Sequence, residues 1–418
     1  MLRSPHARLN LPSAQPLPAH MPTHNEARVR VRIRRARAVL FPALFILPMG
    51  GTPTDPPLSP PAVALRTAQA GRSLIDELRP VRVLGTSVVL YKIRDVDTVD
   101  DMVVVLTKPG PAVHVFVGRD HFEWGREGGG PGEFGNPVAI RLTPRRDALL
   151  IAEAQPGRSR VARFTLRGEL VREHRVAPLA IVTQIELVGD QLIVQGGELG
   201  GERIHVVRLA TPQDTVFSFP RAREINIQTD EGPTRSFPVF LPHQARPQWT
   251  GTAKGLLALW DGRSGQLLLL DTKGDRRGTI PLELTPFAIQ ASDRDRWYEK
   301  EFPADFIGRR DDPLRVIRKK ARDDKLITFP SHFPRALDLK GDVRGGVWVK
   351  RTPAARGEVW SLVGDGSILT ARFPPGREVQ SFGRRYVVAT AVDETLGTEL
   401  VELYALSDVK KQREQGNE

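Results

Sequence analysis

Apolar residues fall mostly in short runs of three to five, separated by polar turns rich in Gly and Pro. This is the pattern of many short β-strands. One stretch sets out a full unit: VAIRLTPRRDALLIAEAQPGRSRVARFTLRGELV (138–171) gives an apolar start, a polar turn, a buried run, a Gly-containing loop, an alternating run, a Gly turn and a last strand. The order recurs at 183–216, 248–280 and 335–369, and partial copies lie at 94–116 and 379–406. The central runs begin at Val103, Leu149, Leu192, Leu256, Val347 and Tyr386, which makes six units with steps of 46, 43, 64, 91 and 39 residues.

Four strands per unit at a period near 40 to 45 is the signature of a β-propeller blade. The expected fold is therefore all-β, a six-bladed β-propeller over 71–410. The two long steps hold insertions at about 220–247 and about 291–330. In the second, DDPLRVIRKKA has an Asp cap, Pro313 at the first helical position and Leu314, Ile317 and Ala321 on one face, which predicts a short helix between blades four and five. The last copy stops after three strands at Leu406, so SLIDELRPVRVLG (73–85) is expected to supply the missing outer strand of blade six. Residues 411–418 read as a disordered, solvated tail.

Charge changes the picture at one end. The formal net charge is +12, but residues 1–70 contribute +7 of it and the remainder only +5 over 348 residues with both signs interspersed. That balance is an ordinary surface rather than a nucleic-acid stripe. Within the leader, a basic segment (Arg28 to Arg37) precedes an apolar one (Ala38 to Met49), the order of a secretory signal. The apolar segment is too short for a transmembrane span, which needs about 20 residues. Residues 1–70 thus read as a signal-like leader with a Pro-rich linker, and the protein as exported, periplasmic or extracellular. With no cysteine in the chain, disulfides, thiol nucleophiles and Cys-ligated metals are excluded.

The stretch GREGGGPGEFGNPVAI followed by LLIAEAQPGRSRVARFTLRGELV resembles an NHL-type repeat, with Gly128, Gly130, Pro131, Gly132, Phe134, Pro137, Arg160, Phe164 and Gly168 at matching places. The segment RALDLKGDVRGGVWVKR after the helical insertion is similar to exported bacterial six-bladed propellers that carry an insertion before blade five. Later copies lack the G-P-G-x-F string, so the resemblance implies the fold and not a ligand. It also settles the glycine stretch, since a phosphate loop needs Gly-Lys-Ser/Thr leading into a helix. Here Pro131 and Pro137 lead into a strand, and the glycines read as a tight crossing between blades with Phe134 plugging the gap.

No H-E-x-x-H, G-x-S-x-G or EF-hand loop occurs, so no catalytic residue, metal ligand or cofactor is assigned. His114 and His205 sit in alternating strands and read as satisfied or solvent-facing. Propeller sites form at a channel mouth from several blades, and the loops after the central runs are the candidates. They offer Glu153, Arg158, Trp260, Arg263, Lys350 and Arg351 for a small anionic or sugar-like ligand, through bidentate hydrogen bonds and a stacking face. The expectation is a monomeric, non-enzymatic binding or scaffolding propeller whose partner is a protein or such a ligand, with nucleic acid disfavoured. Two alternatives stand: a metal-dependent hydrolase or lyase of the lactonase kind with Glu153 as one ligand, and an RNA-binding NHL-like propeller.

Overall fold

The computed structural model describes residues 78–407, apart from 109–112, 129, 131–132, 157, 177–178, 199–200, 210, 222–223, 228–236, 241–242, 302–327, 343, 365–368 and 394. The leader, the C-terminal tail, and the helix expected over DDPLRVIRKKA lie outside the described residues. The chain enters at β1 (Arg82–Leu84). The first sheet is β2–β5 (Ile93–Val99, Met102–Thr107, Val113–Val117, Asp120–Trp124). Short segments β6 (Arg126–Glu127) and β7 (Glu133–Phe134) pair in parallel at the crossing to the second sheet, β8–β11 (Pro137–Leu142, Ala148–Glu153, Arg160–Thr165, Leu170–Arg175). The third is β12–β15 (Ile181–Val188, Gln191–Gly197, Arg203–Arg208, Thr211–Pro220).

After β16 (Glu224–Ile227) and β17 (Phe237–Phe240) comes the fourth sheet, β18–β21 (Gln248–Gly251, Leu257–Trp260, Gln266–Leu270, Arg276–Pro281). Helix α1 (Ala291–Glu301) precedes the fifth, β22–β25 (Asp338–Gly341, Val347–Lys350, Val359–Val363, Leu369–Arg372). The sixth contains β26–β28 (Glu378–Phe382, Tyr386–Val392, Glu399–Ala405) with β1 as its outer strand. The six four-stranded sheets belong to one compact unit; β16 and β17 form a two-stranded sheet of their own, most of it in a second unit.

Each central apolar run is the second strand of its sheet, covered on both faces, as β3 and β9 show by being buried throughout. A sheet of that kind cannot bury both faces alone, and stacking around an axis gives it two neighbours. The cores are correspondingly six clusters, one at each junction of consecutive sheets. One joins Val104 and Val115 of the first sheet to Ile140 and Phe164 of the second; the last returns from Val388 and Leu403 of the sixth to Val103 and Val105 of the first. The innermost strands β2, β8, β12, β18, β22 and β26 neighbour one another in that order, and β26 meets β2. The unit is a closed six-bladed propeller.

Closure uses the N-terminal segment as the sequence predicts. Arg82, Val83 and Leu84 pair antiparallel with Leu403, Glu402 and Val401, and Leu84 and Leu90 are buried in the cluster between blades six and one. The helical insertion lies between β21 and β22, the fourth and fifth sheets in chain order, or the fifth and sixth if counting starts at the sheet closed by β1. Its described helix, α1, starts 22 residues before the predicted one. A capping contact fixes that start: Asp293 accepts the Gln290 backbone N–H at 2.9 Å, from the third helical position back to the cap.

The glycine-rich stretch is the crossing from β5 to β8. Phe134 is buried between Trp124 and Phe164, at centroid distances of 6.0 and 5.5 Å. Gly168 turns at φ +88° beneath the Trp124 ring, where a Cβ would come within 2.6 Å of the indole. Both the left-handed backbone and the close approach require glycine there.

Candidate functional site

The six innermost strands present polar side chains at alternate positions, a spacing that puts them on one side of each strand. Most of them tie one blade to the next. Asp95 and Asp97 of β2 accept the backbone N–H groups of Ile140 and Leu142 on β8 at 2.9 and 2.8 Å. Arg141 of β8 bridges Asp95 at 2.6 Å and Glu186 of β12 at 3.0 Å. Gln184 of β12 donates to the Trp249 carbonyl on β18, Gly341 of β22 donates to Thr250 of β18, and Ser381 of β26 donates to Asp97. Lys340 lies 3.6 Å from Asp338, its neighbour two residues earlier on β22.

Burial disfavours the charge on Arg141, but the surrounding Asp95, Glu186 and Asp97 outweigh it and hold the guanidinium well above its ordinary pKa. Burial is also the main reason that the Asp97 carboxyl is raised, with Arg141 and the Leu142 amide opposing it. Lys340 is raised against the cost of burial, chiefly by Asp338. These groups are mutually satisfied, so the channel wall reads as a polar seam holding the ring together.

At one end of this wall the arrangement opens. The first residues of β18, β22 and β26, namely Gln248, Asp338 and Glu378, line a cavity of about 480 Å³ with Lys350, the last residue of β23. Helix α1 adds Asp293, Arg296 and Trp297, and His243 completes the polar lining. The insertion is pinned to blade five by the loop after β23. Arg356 donates to the Ala288 carbonyl at 3.1 Å and to Asp293 at 3.2 Å, Arg296 donates to the Ala355 carbonyl at 3.3 Å, and Arg351 donates to the Thr285 carbonyl while lying 4.7 Å over the Phe287 ring.

Charges here are compensated in pairs. Asp293 is held by Arg296 and Arg356, and Lys350 by the fully buried Glu358, which also accepts from Trp360 and the Val379 backbone. Burial pushes the Glu358 carboxyl up, and Lys350 pulls against it. His243 has φ +50°, stands edge-on to Phe333 at 4.7 Å, and its buried Nε2 has no hydrogen-bond partner. Burial lowers its pKa, with Asp293 opposing, so the ring is neutral at neutral pH.

Of the residues expected from sequence, Lys350 lines this cavity and Arg351 fixes its insertion. Glu153 does something else. It is buried, accepts the Gly135 N–H at 2.7 Å and pairs with Arg160, and Lys108 donates to the Gly135 carbonyl at 3.3 Å, so these three grip the crossing between blades one and two. Trp260 is 1% exposed, its indole donates to the Ser264 carbonyl, and it packs in the core between blades four and five. Arg158 and Arg263 are exposed in the loops after β9 and β19 and do not line the cavity. Sequence reasoning missed Trp297, His243, Asp338 and Glu378. The acids at the starts of innermost strands were the available signal, as was an adjacent Trp-Tyr in an otherwise charged insertion.

No protein-family model and no curated protein matches the sequence. Solved structures do resemble the fold. A candidate exported protein from Bacteroides fragilis matches at 11% identity over 79% of this chain and 95% of its own, with a TM-score of 0.42. Virginiamycin B lyase from Staphylococcus aureus matches at 13% identity over 75% and 80%, with a TM-score of 0.37, and a candidate gluconolactonase at 11% over 79% and 92%, with a TM-score of 0.38.

Proposed function

We propose that this chain is an exported, non-enzymatic binding propeller of the NHL type, with its insertion before blade five, and that the mouth cavity takes a neutral sugar-like ligand. The carrying observation is the lining itself. Acceptors (Asp338, Glu378) and donors (Lys350, Arg296, Gln248) converge beside the half-buried Trp297, and Asp293, Asp338 and Lys350 are each paired with an opposite charge. An anion would find Asp338 and Glu378 facing it. A polyhydroxylated ring uses donors and acceptors alike and stacks on an indole face.

The lactonase reading lacks its first ligand, because Glu153 is engaged by the Gly135 amide and by Arg160. The test is a neutral-saccharide array followed by calorimetry on the purified chain and on its Trp297→Ala and Asp338→Asn variants. Binding should weaken roughly tenfold or more in Asp338→Asn, the scale of a lost hydrogen bond to a charged group, and the bound saccharide should be recovered unchanged. No binding by any saccharide, or binding indifferent to both variants, refutes the ligand class. Turnover of the saccharide refutes the non-enzymatic part.

A further inference from the structure

A second cavity, of about 570 Å³, lies on blade one and shares no lining residue with the mouth cavity. Its floor is the β4–β5 hairpin, where His114 stands opposite Glu123 and Phe116 opposite His121. Alternation along each strand therefore puts His114, His121 and Glu123 on one face. The segment after β1 forms the far wall through Val89 and Tyr91.

His114 Nδ1 is 3.3 Å from His121 Nε2 and 3.4 Å from Glu123 Oε2, and the three donor atoms all lie within 4.8 Å of one another. Four-coordinate zinc has bonds of about 2.0 to 2.1 Å to such atoms, which sets neighbouring donors roughly 3.3 to 3.4 Å apart. The other nitrogen of His114, Nε2, faces the buried Thr107 hydroxyl at 3.4 Å. Donation from Nε2–H to that oxygen leaves the Nδ1 lone pair directed at His121 and Glu123, the outer-shell arrangement that orients ligating histidines.

We infer that His114, His121 and Glu123 form a binding site for a borderline divalent transition metal such as zinc, with an open coordination position toward the cavity. Two imidazoles and a carboxylate suit that class, and three protein ligands leave a position for water or a small donor. Among the described residues this is the one group of His, Asp and Glu whose ligand atoms converge so closely. The competing arrangement is a set of hydrogen bonds among the same three side chains. It needs no ion and predicts no affinity for one.

The two are separated by titrating the full-length chain with Co2+, following the visible absorption of the ion, and then displacing it with Zn2+. The inference predicts one tight Co2+ with the intense bands of four-coordinate cobalt. Affinity should fall at least about tenfold in His121→Gln and in Glu123→Gln, since loss of even an outer-shell partner costs that much, and Thr107→Val should weaken it by about 10- to 100-fold. Glu123 is exposed and His121 partly so, which keeps both variants foldable, and circular dichroism verifies it. No tight ion in the wild type, weak six-coordinate absorption, or equal affinity in the wild type and both ligand variants overturns the inference. The last result would move the ion to other histidines, three of which precede residue 25.

Discussion

The decisive perturbation for the fold is removal of the closing strand, by comparing a chain that begins at residue 71 with one that begins at residue 87. The shorter chain loses Leu78 and Leu84, which are 7% and 4% exposed, and with them the pairing of Arg82 to Leu84 against β28. Two buried leucines at about 1.5 to 3 kcal/mol each amount to roughly 3 to 6 kcal/mol. Leu90, fully buried in the cluster that holds Leu84, loses part of its surroundings, and β28 becomes an exposed edge open to pairing with other chains. Against a native margin of about 5 to 15 kcal/mol, this should remove a large fraction of the stability. The chain from 87 should unfold at distinctly lower temperature and denaturant concentration, or aggregate. The single change Leu84→Ala, expected to cost about 2 to 5 kcal/mol, keeps the test available if that chain cannot be purified. Equal unfolding midpoints for all three proteins would show that the β1–β28 pairing does not close the ring.

Two further outcomes follow from the buried charges. Arg141→Met strands Asp95 and Glu186 in the channel wall and should destabilise by about 3 to 5 kcal/mol, whereas adding Asp95→Asn and Glu186→Gln should recover part of the loss; an unchanged denaturation midpoint in the single variant would refute the bridging role. His114 is pushed down to about 4, mainly by burial, so between its ordinary 6.5 and that value the unfolded chain binds a proton that the folded chain does not. Stability should therefore fall as pH drops through this window, by roughly 3 kcal/mol from this group in chelator-treated protein, and His114→Gln should remove that share of the slope.

The parts of the fold legible in the sequence were those set by local alternation. Each central run became a second strand because it is apolar on both faces, and only a sheet covered on both sides can use such a run. The crossing glycines were legible because φ and close approach act at single residues. Helix α1 was not, because ASDRDRWYEKE has no apolar stripe beyond Trp297 and Tyr298; it is held by the Asp293 cap and by arginine contacts to blade five. Strand parity also carried more than was taken from it. Ala258 and Trp260 share the buried side of β19, which assigns Trp260 to the core rather than to the loop that begins one residue later. The same alternation in RDVDTV, VAIRL, QIEL and LDLK spells out the channel seam.

Sites of this kind resist sequence reading for a geometric reason. In the register, Asp338 opposes Lys350 and Gln248 opposes Trp260, so the first residue of an innermost strand shares its end of the blade with the last residue of the second strand. Residues that converge at the mouth are therefore close to one another within a blade, but Gln248, Asp338 and Glu378 become neighbours only when the ring closes. Lys350 could be named from sequence because it follows an apolar run, whereas His243 and Trp297 sit in connecting segments that no strand pattern governs. What makes them members of one cavity is the pinning of the insertion by Arg351 and Arg356. The loop after β23 thus acts twice, giving Lys350 to the wall and holding α1 in place, and loosening it should alter binding at the mouth before it alters the stability of the six-sheet ring.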